Sequence, residues 1–503
     1  MSTTNTSPTP LSPSTSQARA PYADAVRAFG ARDWQRLNVP GHAAVPGDFP
    51  DLAALLGDAL QLDLPPLLDG VDLGDASPLD EALRLAADAW GAHRTWFLTN
   101  GASQGNRIVT LALASLGTKV AVQRSVHSSV IDGLVLSGLS AVFVQPSIDT
   151  ELGIAHGVTA RSVARALDEH PDVAAVYVVT PSYFGAVADV PEIAATAHAH
   201  GVPLIVDEAW GAHFGFHPEL PGNALRHGAD LVVSSTHKLG GSLTQSAMLH
   251  LGSGRFAEQL EPLLDRAFRL TQSTSASSLL LSSLDLARRA LVNGTQGIEA
   301  SLRAADRIRA GVRAEGRYRI VSDGFRRFAD IAQADPLRVA VDTLAGGISG
   351  HQARWHLMRD HGILVEVATQ GAVVAVVGAG SVPDPTRFLE ALHALPRTET
   401  PAPNEGARPF LLLPEPGPVR MAPRQAFLAP SEVLPADAAV GRVSADTLAA
   451  YPPGIPNVLP GEVITADLVD FFRRTVAVPH GHVRGALDPA VSMLRIVAEP
   501  TPA

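Results

Sequence analysis

From about Pro21 onward, short apolar runs alternate with amphipathic stretches. The segment Ser77–His93 (SPLDEALRLAADAWGAH) opens on a Ser-Pro helix start and carries apolar residues at helical spacing. Thr95–Leu98 then reads as a strand, Gly101–Leu116 as a turn and helix, and Lys119–Val122 as a strand, with a helix from Ser128. Ala141–Val144, Ala174–Val179, Pro203–Val206 and Leu231–Ser234 are further strand-like runs. Strands alternating with helices of about 10–15 residues predict βαβ units and a mostly parallel sheet, whose ligands lie at the carboxyl ends of the strands.

The pattern then changes. A long helix is predicted over Ser278–Leu291, and Asp335–Ala340, Ile363–Val367 and Val373–Val377 read as strands of a smaller α/β domain. Residues 397–424 hold many prolines and read as a linker, and a third unit begins near Met421–Phe427. Met1–Ala20, rich in Ser, Thr and Pro, is expected to be a disordered tail. The resulting scheme is a tail (1–20), an N-terminal segment with a large domain (21–290), a small α/β domain (291–400) and a C-terminal module (401–503).

Composition narrows the possible functions. The 503 residues are 46% apolar, enough for a large core, and exceed one ordinary domain. A net charge of −11 makes a poor partner for nucleic acid or an anionic membrane. The absence of cysteine excludes disulfides, thiolate metal sites and a cysteine nucleophile, and is compatible with the cytoplasm. No apolar run reaches the roughly 18 residues that span a bilayer, and the start lacks the pattern of a signal peptide.

Four segments carry candidate chemistry. In Leu231–Gly241 (LVVSSTHKLGG) a strand runs into Ser-Ser-Thr-His-Lys. A lysine partly desolvated at a strand end has a lowered pKa and attacks aldehydes; the plainer alternative is a lysine in a surface loop. Asp207, in PLIVDEAW, ends an apolar run, where a carboxylate needs a partner. A protonated pyridine nitrogen would serve, and so would a structural ion pair or helix cap. Phe97–Asn106 (FLTNGASQGN) lies between a strand and a helix, so its backbone N–H groups can face a phosphate, with Ser103 adding a hydroxyl. The same stretch reads G-A-S-Q-G, the nucleophile elbow of serine hydrolases, with Asp207 and His213 or His237 as its partners. His127, in RSVHSS, can stack on an aromatic ring at the sheet edge or simply be solvated. The remaining histidines, His198 and His200 among them, show no metal spacing.

Taken together, these segments resemble the ornithine/lysine/arginine decarboxylases. The matches are VPGH (39–42), FLTNGASQGN, RSVHSS, PSYFG (181–185), DEAW (207–210), STHK (235–238), TQSTSASSLLLS (271–282), MAPRQAF (421–427) and YPPGIPNVLPGE (451–462). The resemblance implies an α/β fold of the pyridoxal phosphate (PLP)-dependent transferase fold type I, with a mostly parallel seven-stranded sheet flanked by helices, a smaller α/β domain and a C-terminal module. It implies that Lys238 bonds the cofactor aldehyde, Asp207 pairs with the pyridinium, His127 stacks on one ring face and Ala209 packs on the other. Ala102, Ser103, Gln104, Ser235 and His237 fall on the phosphate side. Thr274 and Ser275 resemble a stretch that reaches the phosphate of a neighbouring subunit, which implies a homodimer with shared sites. Glu462 falls in a motif expected to meet the distal cation of the substrate, and Lys238 or His237 would return a proton to Cα. Ala102 stands where many members have Thr, and Ala276 where many have Pro, which puts cofactor affinity and substrate choice in question. The chain lacks the large N-terminal extension of the longest members, so their rings of dimers are not implied, and assembly beyond the dimer stays open.

The expected activity is loss of the α-carboxylate from lysine, ornithine or arginine, a step toward polyamines. Transamination and oxidative deamination use the same lysine and aspartate, and the serine hydrolase is a more distant alternative.

Overall fold

The computed structural model describes residues 15–397, 414–451, 456–477 and 481–499. Most of the expected tail (1–14), most of the proline-rich linker (398–413) and residues 452–455 of the YPPGIPNVLPGE motif lie outside the described residues.

The central sheet is built from seven strands: β1 (Arg94–Leu98), β2 (Lys119–Gln123), β3 (Ser140–Val144), β4 (Val176–Val179), β5 (Leu204–Asp207), β6 (Leu231–Ser234) and β7 (Ala247–Leu251). Their order is β1-β7-β6-β5-β4-β2-β3. The five strands from β6 to β3 run parallel, while β7 is antiparallel to both β1 and β6. Every residue of β5, β6 and β7 is buried, as befits strands covered on both faces. Six of the seven strands match expected runs to within two residues at each end; β7 was not expected.

Helices start where the sequence supplies stop and start signals. Ser77 and Asp80 form a capping box ahead of the helix Pro78–Trp90, which Gly91 ends in the left-handed conformation. The helix Gly101–Leu113 lies on the sheet so closely that a Cβ at Gly105 would stand 2.8 Å from Val233 Cγ1.

A second sheet contains β8 (Arg319–Ile320), β9 (Arg338–Asp342), β10 (Val367–Ala368) and β11 (Ala372–Val376), all antiparallel in the order β8-β9-β11-β10. It has its own apolar core, which includes Leu337, Val339 and Val373 and reaches Trp210 and Leu239. Here the expectation shifts: β9 starts at Arg338 rather than Asp335, because Pro336 has no N–H for a ladder. Toward the C-terminus Ser431–Pro435 pairs with Met493–Val497, and Leu448–Tyr451 pairs with Pro456–Val458 and His482–Arg484.

One part of the tail is corrected. Residues Thr15–Ala18 form a 3-10 turn, and Gln17 is buried. Its amide donates to Leu85 O at 3.1 Å and to Asp88 at 2.9 Å, while Arg288 donates to its carbonyl at 2.8 Å.

Candidate active site

The parallel strands deliver their C-terminal residues to one side of the sheet. Asp207 is the last residue of β5, and Lys238 follows β6 on the short helix Thr236–Leu239. His127 caps the helix Ser128–Ser137 just after β2, its Nδ1 accepting the Ser129 N–H at 3.2 Å.

Asp207 is 3% exposed. Its Oδ1 accepts the Ala209 N–H at 3.0 Å and its Oδ2 accepts Asn106 Nδ2 at 3.0 Å. Each carboxylate oxygen therefore keeps one lone pair for another donor. Asn106 is the hub of a buried network that the sequence reading missed. Tyr177 donates its hydroxyl to Asn106 Oδ1 at 2.8 Å, and Asn106 Nδ2 also donates to Ser129 Oγ at 2.9 Å. The Ser129 hydroxyl lies 2.8 Å from His127 Nδ1. Since Nδ1 also accepts a backbone N–H, it is unprotonated, and the neutral ring carries its proton on Nε2. Burial, the main influence, lowers the His127 pKa and favours that neutral ring.

Lys238 is one of only two lysines in the chain. The other, Lys119, pairs with Asp172 at 2.7 Å on the far side of β2. The Lys238 ammonium stands 3.7 Å from the centroid of the Trp210 ring. Burial draws its pKa down to about 8, opposed by Asp207 and reinforced by Arg338. About a tenth of such an amine is neutral, hence nucleophilic, at pH 7, far more than of an ordinary lysine.

The start of the helix Gly101–Leu113, which has no side-chain cap, is the candidate phosphate cradle. Of its first four N–H groups, Gly101 donates to Gln245 O and Gln104 to Asn100 O, which leaves those of Ala102, which is buried, and Ser103, which is half-buried, for another acceptor. The Gln104 side chain is otherwise employed: it accepts the Asn100 N–H at 3.2 Å and donates to Gln272 at 2.7 Å. Ser235 is buried beside Lys238, and Ala209 lies buried after Asp207. His237 donates Nδ1–H to Ser246 O at 2.8 Å, and burial lowers its pKa. Thr274 and Ser275 are exposed in the loop after the helix Ala257–Thr271.

One expectation is corrected, and another residue has a partner within the chain. The hydrolase triad does not assemble: His213 Nε2 bonds Asp335 at 3.1 Å and His237 Nδ1 bonds Ser246 O, so neither histidine is bonded to Asp207. Glu462 is 2% exposed and is neutralised within the chain. Its Oε2 accepts Arg124 Nη2 at 3.0 Å and the Leu459 N–H at 2.9 Å, and Arg124 also donates to Pro456 O at 2.6 Å. A carboxylate so placed joins the C-terminal strands to the central sheet.

The residues fit PLP: an uncapped helix start for its phosphate, a carboxylate with open lone pairs for its ring nitrogen, a flat neutral imidazole and a single available lysine. Fold and site together define an α/β protein built around a buried lysine and a buried carboxylate at the carboxyl ends of its parallel strands. The chain belongs to the Orn/Lys/Arg decarboxylase family: the family's major domain matches residues 38–331 and its C-terminal domain residues 414–480. It is 35% identical over 492 residues to the arginine decarboxylase of Bacillus subtilis, covering 96% of this chain and 99% of the relative. The constitutive lysine decarboxylase of Escherichia coli is 23% identical, over 80% of this chain and 68% of its own length. The solved structure of an E. coli constitutive lysine decarboxylase superposes with a TM-score of 0.78 at 21% identity, covering 96% of this chain and 82% of that one, which supports the fold. Among the described residues no helix is long and apolar enough to cross a membrane.

Proposed function

We propose that the protein is a PLP-dependent decarboxylase of a basic L-amino acid. Arginine stands first, because the Bacillus relative matched over nearly the whole chain is named for it; lysine and ornithine follow. The observation that carries the reading is the placement of Lys238, a lysine with its pKa drawn down to about 8, beside Asp207 at the carboxyl ends of β5 and β6.

Bound PLP supplies an aldehyde for the substrate amine and a protonated ring that draws in the electrons of the breaking Cα–carboxylate bond. Asp207 would hold a proton on the ring nitrogen, since Asn106 and Ala209 fix its carboxylate with lone pairs still open. His127 would support one face of the ring, and its neutral state would avoid a second positive charge there. Ala102 and Ser103 would hold the phosphate through the helix start, assisted by Ser235. Lys238 Nζ would return a proton to the substrate Cα. His237 is the poorer donor, because its Nδ1–H is committed to Ser246 and burial disfavours a proton on Nε2.

The proposal includes a homodimer and a cytoplasmic location. Leu37 and Leu55 are 89% and 80% exposed in the N-terminal segment, and Thr274 and Ser275 are exposed as well; both features suit cover by a second copy. The three-part division at about residues 290 and 400 is part of the same reading.

Borohydride reduction of the protein with PLP, followed by peptide mass mapping, tests the site. The expected adduct is on Lys238 alone; an adduct on Lys119 or none at all contradicts the proposal.

A further inference from the structure

Trp210 carries two cations. Lys238 Nζ is 3.7 Å and Arg338 Cζ 4.3 Å from the same ring centroid, so the two charges are no more than the sum of these, 8.0 Å, apart. Two like charges this close, away from bulk water, repel appreciably, so the arrangement needs something that holds Arg338 in place.

That support is built around Arg338 at the start of β9, whose side chain is fully buried. Its Nη1 donates to Tyr183 O at 3.1 Å and its Nη2 to Trp210 O at 3.4 Å. Asp335 lies 3.7 Å away, also fully buried, and its other oxygen bonds His213 Nε2 at 3.1 Å. Gly185 leaves the room: a Cβ there would stand 2.8 Å from Arg338 Cβ. A buried carboxylate and histidine thus anchor a buried guanidinium against the ring that also seats the lysine.

We propose that Arg338 is a positioning residue for Lys238, held against the Trp210 indole by Asp335 and His213 so that its fixed positive charge biases the lysine toward its neutral, nucleophilic form. The proposal rests on Lys238 being the working lysine. The other charged or titratable groups facing Lys238 are Asp207 at the end of β5, Glu366 just before β10, His127 ahead of its helix and the adjacent His237. The two carboxylates favour the ammonium form. Burial and Arg338 oppose it.

With two lysines in the chain, biosynthetic ε-13C-lysine labelling gives two resonances, assigned by Lys238→Ala. The full-length protein, freed of cofactor, is titrated by NMR, and near-ultraviolet circular dichroism checks the fold of each variant. Arg338→Met is expected to raise the Lys238 pKa by about a unit. Asp335→Asn is expected to lower it, because Arg338 then keeps its charge without the neighbouring anion. A merely structural role moves both variants the same way, upward, as water enters a loosened pocket. An unchanged pKa in Arg338→Met, or a rise in both variants, overturns the proposal. If Arg338→Met fails to fold, Asp335→Asn decides: a fall supports it, and a rise or no change overturns it. A lysine that titrates as expected in a protein that makes no amine would retire the decarboxylase reading and leave the positioning role standing.

Discussion

A carboxylate at the end of a buried strand must have its lone pairs answered, and Asp207 has only two of them met by the protein. Asp207→Asn preserves shape and removes the charge that keeps a ring nitrogen protonated. It is expected to lower kcat by at least about 100-fold, the scale of a lost transition-state charge contact, with a much smaller loss of PLP retention; equal kcat in the two proteins would rule the role out. Asn106→Ala leaves Asp207 Oδ2, Ser129 and the Tyr177 hydroxyl short of a partner. It is expected to cost about 1–3 kcal/mol by chemical denaturation and to reduce kcat as well. Lys238, Asp207 and His127 were legible because each follows an apolar run that reads as a strand. Asn106 was not, although it stands inside a quoted motif, because its role depends on Asp207, 101 residues away. Arg338 was hidden for the same reason: Trp210 is 128 residues distant.

Among the elements, the parallel strands announce themselves as short apolar runs between helical ones, and six were read that way. β7 (AMLHL) was missed because it is buried throughout, shows no alternation and contains His250, which an apolar pattern does not predict. The helix Gly101–Leu113 meets the sheet through Gly105, where an added methyl would meet Val233 at 2.8 Å and Leu98 at 3.1 Å. Gly105→Ala is therefore expected to destabilise the protein by about 1–3 kcal/mol by overpacking, despite the better helix propensity of alanine. A gain in the denaturation midpoint would show that helix and sheet separate more freely than this contact allows.

At the scale of the whole molecule, the C-terminal strands are held to the central sheet by a charge pair that is almost free of water: the Arg124 and Glu462 side chains are 6% and 2% exposed. Breaking such a pair on one side is expensive, whereas replacing both partners with apolar residues is often tolerated. Arg124→Ala is expected to cost about 3–5 kcal/mol, and Arg124→Met with Glu462→Leu to recover most of it; a loss under about 1 kcal/mol in the single variant would contradict the docking role. The central claim is that this assembly removes CO2 from a basic amino acid at Lys238. The most direct test is a mass-spectrometric product screen of the purified protein with PLP, given arginine, lysine and ornithine in separate reactions, beside the Lys238→Ala variant. The account predicts agmatine, cadaverine or putrescine from at least one substrate, lost in the variant. A keto acid or oxidised product in its place, or no product from any of the three despite a PLP absorbance band, would contradict it.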